Sequence, residues 1–281
     1  LDASLVVLYY AVLALLVKYA GGRRVRIRTL LFFMFIPALF VMNEAVMPRI
    51  ERCEITFFDV GNADSALIRG PGGFTMLVDG GRGAYGDWDH GRAKIAPRLW
   101  KKGIRCLDCI VLSHPNEDHI GGLFYILENF RVRTVFTAEN TGVEGLEEPL
   151  FRRFTEELLK RKITHVVAGK GDIIKWRGNL EMRVYGPPLD FCGTTNDRSL
   201  IFKLVSPSGA SAFFPGDAGN EVMDELALFG AELKTAMIKV PHHGSRGEGS
   251  LPLMSYRSLN AGTAVVPAKE RERVSKYLLD M

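Results

Sequence analysis

The chain has 281 residues, of which 47% are hydrophobic and 24% charged, and its formal net charge is +4. This length allows one large domain or two small ones, and the composition is ordinary for a globular chain. Residues 1–50 carry the whole excess of positive charge, because 30 basic and 30 acidic residues follow residue 50. The bulk charge of the later part therefore gives no support for nucleic-acid binding, although a local basic patch is compatible with it.

Two apolar runs, residues 3–17 and 30–42, flank a loop at 18–28 that holds five positive charges and no negative one. A spanning helix needs ~20 mostly apolar residues, so both runs would need their flanks to cross, and re-entrant or interfacial segments are the alternative. A basic loop between two apolar runs matches two spans joined on the cytoplasmic side. A signal peptide is disfavoured, since its cationic residues should precede the first apolar run. We predict that residues 1–50 are the end of a membrane domain in a longer protein.

Residues 51–281 are predicted to form one domain on the extracytoplasmic side of the membrane. Strands with interspersed helices indicate an α/β class, with two sheets covered by helices in four layers and the topology left open. Strands are predicted at 55–60, 65–69, 75–79, 109–112, 133–137, 164–168, 172–176, 180–185, 200–205, 211–215, 237–240 and 263–266. Helices are predicted at 91–103, 119–130, 149–162, 221–229 and 268–279.

The four cysteines are Cys53, Cys106, Cys109 and Cys192, an even number that an oxidising compartment could pair. The spacing of Cys106 and Cys109 resembles half a zinc ribbon, but no second half follows. Residues three apart on a strand point to opposite faces, which favours separate packing as small hydrophobic side chains.

Candidate metal ligands collect where predicted strands end. The stretch SHPNEDHIGG at 113–122 supplies His114, Asp118 and His119, and two later strands are followed by Asp217 and by the pair at 242–243. Hydrolytic metal sites need histidine and carboxylate ligands from different elements, with one position open for water. The alternative is that Asp118 and Asp217 only cap the helices that follow them.

The motif at 114–119 resembles the HxHxDH signature of the metallo-β-lactamase fold. Further motifs resemble its ComEC branch of DNA-internalisation competence proteins: FDVGNAD at 58–64, VDGG at 78–81, NDRSL at 196–200, FPGD at 214–217 and VPHHGS at 240–245. The resemblance covers residues 53–267 in the order of the family's motifs. It implies a four-layer αββα hydrolase domain outside the cytoplasm, preceded by a membrane channel domain.

The resemblance also assigns residues to two metal sites. His114 and Asn116 would face the first metal, Asp118 and His119 the second, and Asp217 would bridge them. Either His242 or His243 would complete the second site, with His242 favoured. The cofactor would be one or two ions of Mn²⁺ or Zn²⁺, and the main catalytic residues would be Asp118 and Asp217. Further metal or supporting candidates are Asp59, Asp64, Asp79, Asn196, Asp197, His243 and Ser245.

The chain departs from the family pattern at three places. Asn116 stands where the family usually has histidine or aspartate, and no histidine lies between His165 and His242. The resemblance suggests that Asn196 or Asp197 substitutes for the missing ligand. After the last strand, Pro267 leads into a predicted helix instead of the family's Tyr-Gly-His-Pro stretch.

The activity that the resemblance implies is hydrolysis of a phosphodiester, in the DNA strand that is not imported or in other single-stranded DNA. Its partners would be that DNA, the membrane and the upstream channel domain. One alternative is a metallo-hydrolase of another substrate, such as a lactam, a thioester or a phosphocholine ester, because fold does not fix function. The other alternative is a non-catalytic module of a DNA channel, in which Asn116 marks a decayed site.

Overall fold

The computed structural model describes residues 12, 15, 16, 18, 19, 53–83, 88–139, 148–187, 193–244 and 257–268. The predicted apolar runs lie almost wholly outside these residues, as do Cys192, Ser245 and nearly all of the predicted C-terminal helix. The chain divides between Arg49 and Ile50 into two units, and the second is the one described below. Among the described residues, no helix combines the length and the apolar character needed to cross a membrane.

The first sheet has six strands in the order β1-β2-β3-β4-β5-β6. The first three strands pair antiparallel, and β3 to β6 pair parallel. In the parallel part, Val78 of β3 lies beside Val111 of β4, so these two strands end together. The strands are β1 (Glu54–Phe57), β2 (Ala66–Arg69), β3 (Thr75–Val78), β4 (Cys106–Val111), β5 (Arg131–Ala138) and β6 (Thr164–Ala168).

The second sheet has six strands in the order β12-β11-β10-β9-β8-β7. Strands β7 to β10 pair antiparallel, and β10, β11 and β12 pair parallel. These strands are β7 (Ile173–Trp176), β8 (Leu180–Gly186), β9 (Ile201–Val205), β10 (Ser211–Phe214), β11 (Met237–Lys239) and β12 (Thr263–Val265). Both sheets therefore combine an antiparallel half with a parallel half.

Five α-helices are described, and they cover the outer faces of the sheets or lead away from the site. They are α1 (Ala96–Lys101), α2 (Glu117–Ile120), α3 (Leu123–Asn129), α4 (Glu148–Lys160) and α5 (Asn220–Ala227). A π-helical turn, Gly91–Ile95, runs directly into α1. The helix predicted at 119–130 is two helices, because the chain breaks at Gly121 and Gly122.

Three apolar clusters separate four layers, which confirms the predicted αββα sandwich. Alternation along each strand divides the side chains between the layers. In β9, for example, Ile201 faces α5 while Phe202 and Leu204 face the other sheet. The inter-sheet cluster also holds Cys109, and no disulfide links the cysteines in the described part of the chain. The reading of Cys109 as a small hydrophobic side chain is therefore confirmed.

The loops that bear the candidate ligands meet at one end of the sandwich. Strands β3 and β4 of the first sheet and β10 and β11 of the second all run towards this end. A hydrogen bond from the Leu200 N–H to the Ser113 carbonyl, 2.8 Å long, joins the two sheets there. The fold thus brings together residues that are more than 100 positions apart in the chain.

Candidate metal centre

The first ligand-bearing loop connects β4 to α2. Asn116 is the N-cap residue of α2 and has extended backbone dihedral angles, but its side chain does not cap the helix. Asp118 is the second residue of the helix, and Gly219, rather than Asp217, occupies the N-cap position of α5. Neither aspartate therefore serves as the N-cap residue of the helix that follows it, and the cap alternative is wrong.

One group of possible ligands is fully buried between the two sheets. His114, His119 and Asp217 each offer one ligand atom, and these atoms lie within 4.8 Å of one another. Nε2 of His119 lies 3.3 Å from Oδ2 of Asp217. Both histidines have no exposed surface, and Asp217 is 3% exposed.

A second group overlaps the first and lies closer to solvent. It contains Asp118, His119 and His243, whose ligand atoms also lie within 4.8 Å of one another. Nε2 of His243 lies 3.4 Å from Oδ2 of Asp118 and 3.5 Å from Oδ2 of Asp217. His119 and Asp217 therefore stand between His114 on one side and Asp118 with His243 on the other.

The sequence favoured His242 for this place, and the structure corrects that choice. The chain turns through positive φ at both histidines, with φ of 49° at His242 and 53° at His243. This turn points the ring of His243 at the carboxylates, whereas His242 contributes its backbone N–H, which donates to Oδ1 of Asp217 at 3.1 Å. Sequence alone could not decide between two adjacent histidines, because the local backbone determines which ring turns inward.

Asp79 and Ser113 orient the histidine rings. Oδ2 of Asp79 lies 3.0 Å from Nδ1 of His119, and it accepts a 2.8 Å hydrogen bond from the Ser113 hydroxyl. The same hydroxyl oxygen lies 3.0 Å from Nδ1 of His114. With Nδ1 engaged on each ring, Nε2 of each ring is left for a ligand role, an arrangement typical of metal-binding histidines. Asp79, a supporting candidate from sequence, is thus a positioning residue for two histidines.

Lys239 is a site residue that the sequence did not indicate. Its ammonium group is buried, donates at 2.8 Å to Oδ1 of Asp217 and to the Gly216 carbonyl, and contacts Asp64. Oδ1 of Asp217 is thereby engaged, and Oδ2 is the oxygen that faces the histidines. The available signal was a single lysine among the apolar residues of β11, which is unusual for a strand covered on both faces.

Asp64 contacts Lys239 and lies next to the Nδ1 atoms of two histidines of the cluster. Its carboxylate is 3.7 Å from Nδ1 of His119 and 3.6 Å from Nδ1 of His243. It therefore contacts the side of each ring opposite to Nε2. This position makes Asp64 a supporting residue, consistent with its place among the supporting candidates.

The buried charges shift one another's pKa values. Burial alone would raise the pKa of Asp217, but the Lys239 ammonium and His119 outweigh it and hold the pKa well below its usual range. Burial would also raise the pKa of Asp118, yet its interactions with His243 and His119 lower the pKa. Burial would lower the pKa of His119, but the carboxylates of Asp217 and Asp79 raise the pKa well above its usual value. The two aspartates are therefore carboxylates at neutral pH.

His114 and Asp64 shift in the directions that burial dictates. Burial lowers the pKa of His114 well below its usual value, so the ring is neutral at pH 7. Burial raises the pKa of Asp64 despite the nearby Lys239 and His119. A neutral ring hydrogen-bonded through Nδ1 presents the lone pair of Nε2, as a metal ligand requires.

Asn116 and Asn196 form an amide pair. The amide nitrogen of Asn116 donates to Oδ1 of Asn196 at 2.8 Å, which fixes Oδ1 of Asn116 on the opposite side. Asn196 begins the 3₁₀ turn Asn196–Arg198 that precedes β9. Asn196 therefore orients the amide of Asn116.

Two other candidates do not join the cluster. The side chain of Asp59 is 83% exposed and pairs with Lys94 at 3.7 Å. Asp197 accepts hydrogen bonds from the Thr194 hydroxyl at 2.7 Å and from the Gly219 N–H at 3.0 Å, so it fixes local turns. Ser245 lies outside the described residues.

The donor set fits a divalent cation. Within the described part of the chain, six buried atoms at this site have no hydrogen-bond partner: Nε2 of His114, His119 and His243, Oδ1 of Asn116, and both carboxylate oxygens of Asp64. Buried polar atoms without partners are rare in folded proteins, and several of them converging beside two carboxylates indicate a bound ion. Imidazole and carboxylate ligands suit Zn²⁺ or Mn²⁺, and this donor set does not choose between them.

Comparisons with known proteins agree with this geometry. The family model of the metallo-β-lactamase superfamily matches residues 58–265. The chain is 25% identical over 231 residues to ComE operon protein 3 of Bacillus subtilis strain 168, covering 78% of this chain and 29% of the relative. It is 24% identical over 208 residues to the uncharacterized protein YcaI of Escherichia coli K12, covering 74% of this chain and 24% of the relative. The chain thus spans less than a third of the length of these curated relatives.

Among solved structures, a variant of the β-hydroxylase CmlA superposes with a TM-score of 0.51 and 16% identity, covering 81% of this chain and 49% of that one. Identity this low shows the fold alone. The superfamily consists generally of metal-dependent hydrolases. From the match over 58–265 and the four-layer sandwich, the chain belongs to the metallo-β-lactamase superfamily, and within it the chain is ComEC-like.

Proposed function

We propose that this chain is a metal-dependent phosphodiester hydrolase that cuts DNA. The observation that carries the proposal is the pair of overlapping ligand groups that share His119. Asp217 of the first group lies 3.5 Å from His243 of the second, so it too stands between the two groups. Such an arrangement can hold two divalent cations side by side, and two cations supply an activated hydroxide and neutralise charge on a phosphodiester. A second metal is of most use when the substrate is itself anionic, which favours phosphodiesters over lactams or neutral esters.

The chain's own residues contribute position and charge. Asp79 and Ser113 hold the imidazole rings with Nε2 towards the centre, and Lys239 holds Asp217 with Oδ2 towards it. These contacts fix the donors before substrate arrives, so little reorganisation is required during reaction. Asp118 is the least buried carboxylate of the cluster and stands next to the solvent from which water and substrate enter.

DNA is proposed as the substrate because of the likeness to ComE operon protein 3, whose name belongs to a competence operon. We place the activity at the cell membrane, with the hydrolase domain on the extracytoplasmic side and the substrate being the strand that is not imported. The apolar runs and the basic loop before residue 50 support this location. The metal is proposed to be Mn²⁺ or Zn²⁺, with one or two ions bound.

The test is nicking of single-stranded DNA by the purified chain with added Mn²⁺. We expect Asp118→Ala to lower the rate by at least ~100-fold, the upper end of what even supporting residues of metal sites contribute. Asp59→Ala is the matched control, because it removes an exposed aspartate outside the cluster, and its rate should equal that of the native chain. Metal content is measured on all three proteins.

Each alternative function predicts a different result in these cleavage and metal-content measurements. If the chain leaves DNA intact but cleaves a small phosphodiester, an ester or a thioester, its substrate is that compound class and not DNA. Less than one ion per chain with no hydrolysis of any substrate would indicate the decayed structural module. Equal nicking by the native chain and Asp118→Ala would show that the activity does not come from this site.

A further inference from the structure

Arg82 lies at the edge of the metal centre and was not among the predicted site residues. It follows the Asp79-Gly80-Gly81 turn at the end of β3. Its Nη2 lies 3.6 Å from Oδ2 of Asp118, the same oxygen that faces His243, and its Nε lies 4.0 Å from Oε2 of Glu117. The side chain is 53% exposed. A guanidinium therefore borders the cluster on its solvent side.

The backbone of Arg82 is held firmly. Its N–H donates to Nδ1 of His90 at 3.0 Å, and its carbonyl accepts from the His90 N–H at 2.8 Å. The N–H of Gly83 donates to Oε1 of Glu117 at 2.8 Å. These three bonds fix the point from which the side chain extends, and pre-organisation of this kind is what a ligand-binding residue requires.

The guanidinium is not committed to the two carboxylates. Separations of 3.6 and 4.0 Å exceed the length of a direct hydrogen bond, so these contacts are long-range charge pairs. With respect to the described residues, the Arg82 guanidinium thus keeps its planar set of N–H donors available. Such a set can bind an oxyanion through two parallel hydrogen bonds. The charge of Asp118 would be compensated by a cation bound in the cluster, which would leave the Arg82 charge for an anionic ligand.

We infer that Arg82 binds a phosphate oxygen of the substrate next to the metal centre. The inference rests on the proposed function, because it assigns the residue that recognises the scissile phosphodiester or its neighbour. The competing role for Arg82 is support of Asp118 alone. A carboxylate ligand would have similar charge but fewer acceptor oxygens, so phosphate and acetate are compared directly.

The experiment uses the full chain loaded with Mn²⁺ and measures binding of inorganic phosphate by calorimetry. Arg82→Ala should weaken phosphate binding by about tenfold, the size expected for one charge-assisted hydrogen bond. Arg82→Lys should restore only part of the phosphate affinity, because an ammonium does not present two parallel N–H donors in one plane. The control is Arg133→Ala, an exposed arginine of β5 that pairs with Asp108 at 3.4 Å and should bind phosphate as the native chain does.

Three results would overturn the inference. Unchanged phosphate binding by Arg82→Ala is the first, and equal binding of acetate and phosphate by the native chain is the second. Loss of bound Mn²⁺ in Arg82→Ala is the third, since it would assign the residue to support of Asp118. Nicking of DNA by the native chain is scored separately, so the phosphate site and the proposed hydrolysis can fail independently.

Discussion

Lys239 shows how much one buried side chain determines in this site. Its ammonium is enclosed by Asp64, Asp217 and the Gly216 carbonyl, and it is 4% exposed. Burial by itself would lower the pKa of Lys239, but the two carboxylates outweigh burial and raise the pKa, so the group stays charged. Burial of two carboxylates is energetically acceptable only while the ammonium beside them compensates their charge.

We predict that Lys239→Met strongly destabilises the metal-free chain. The substitution keeps the length of the side chain but leaves Asp64 and Asp217 buried without their cation, which typically costs about 3–5 kcal/mol. The free energy of unfolding is measured by chemical denaturation at pH 7 with a chelator present.

Lys203→Met is the matched control for this prediction. Lys203 is also buried, but among the residues that the structure describes its ammonium binds the Glu232 carbonyl and pairs with no carboxylate. Its loss should cost about 1–3 kcal/mol, the range for a hydrogen bond to a charged group. Equal destabilisation by the two substitutions would contradict the role assigned to the Asp64 and Asp217 contacts.

At the scale of elements, glycines allow three segments to meet behind the metal centre. A Cβ atom placed on Gly122 would lie 2.1 Å from the Gly80 carbonyl oxygen and 2.7 Å from the Gly91 nitrogen. The Gly122 N–H also donates to the Gly81 carbonyl at 2.9 Å. Three segments therefore contact one another through backbone atoms alone: the turn after β3, the start of the π-helical turn, and the break between α2 and α3.

Gly122→Ala should consequently destabilise the chain and weaken metal binding together. The clash is with backbone atoms, which cannot move aside without displacing the Asp79 turn, and overpacking of this kind costs typically about 1–3 kcal/mol. Thermal unfolding and Mn²⁺ titration are the measurements.

Gly262→Ala is the control for the glycine substitution, because its Cβ would lie 3.6 Å from the nearest atom, an ordinary contact. Its unfolding free energy should change by less than about 0.5 kcal/mol, as for most surface substitutions. Normal metal binding by Gly122→Ala would contradict the link between this junction and the Asp79 turn.

Local patterns in the sequence predicted most of the elements but not how they join. Short apolar and β-branched runs placed the twelve described strands near their observed positions, because most of these strands bury at least one face. The helix predicted at 119–130 was wrong near its start, where Gly121 and Gly122 interrupt it. Gly122 packs against the backbone of Gly80 and Gly91, which are distant in sequence. The inward turn of His243 and the burial of Lys239 likewise depend on strand register and on loops from the other sheet.

At the scale of the whole molecule, strand order was beyond sequence patterns. Each sheet joins an antiparallel half to a parallel half, and the parallel neighbours β3 and β4 are separated by 27 residues that carry the π-helical turn and α1. No local feature specifies that pairing. The pattern of strands and helices and the family resemblance both predicted the four layers, and the structure adds which loops share one end of the sandwich.

The unfolding free energy of the metal-free chain should fall with acidification in two stages. Burial lowers the pKa of His90 and His114 below their ordinary value of 6.5, so the unfolded chain binds these protons at higher pH than the folded chain. Stability therefore declines as pH falls below about 6.5. His119 does not offset this decline, because a raised pKa gives a contribution that is already complete below 6.5 and is lost only as pH rises.

The second stage belongs to Asp118 and Asp217. Their pKa values are lowered from 3.8, so their contribution is present above that value and is lost as pH falls through the lowered pKa values. Asp64 opposes this loss, because its raised pKa makes the folded chain bind that proton at higher pH than the unfolded chain does. Denaturation with chelator at pH 7, 5 and 3.5 measures the first stage and the onset of the second. His90→Asn, which retains an acceptor for the Arg82 N–H, should reduce the loss between pH 7 and 5 and leave the loss between pH 5 and 3.5 unchanged. A stability that stays constant from pH 7 to 5 in the native chain would mean that neither buried histidine resists protonation in the fold.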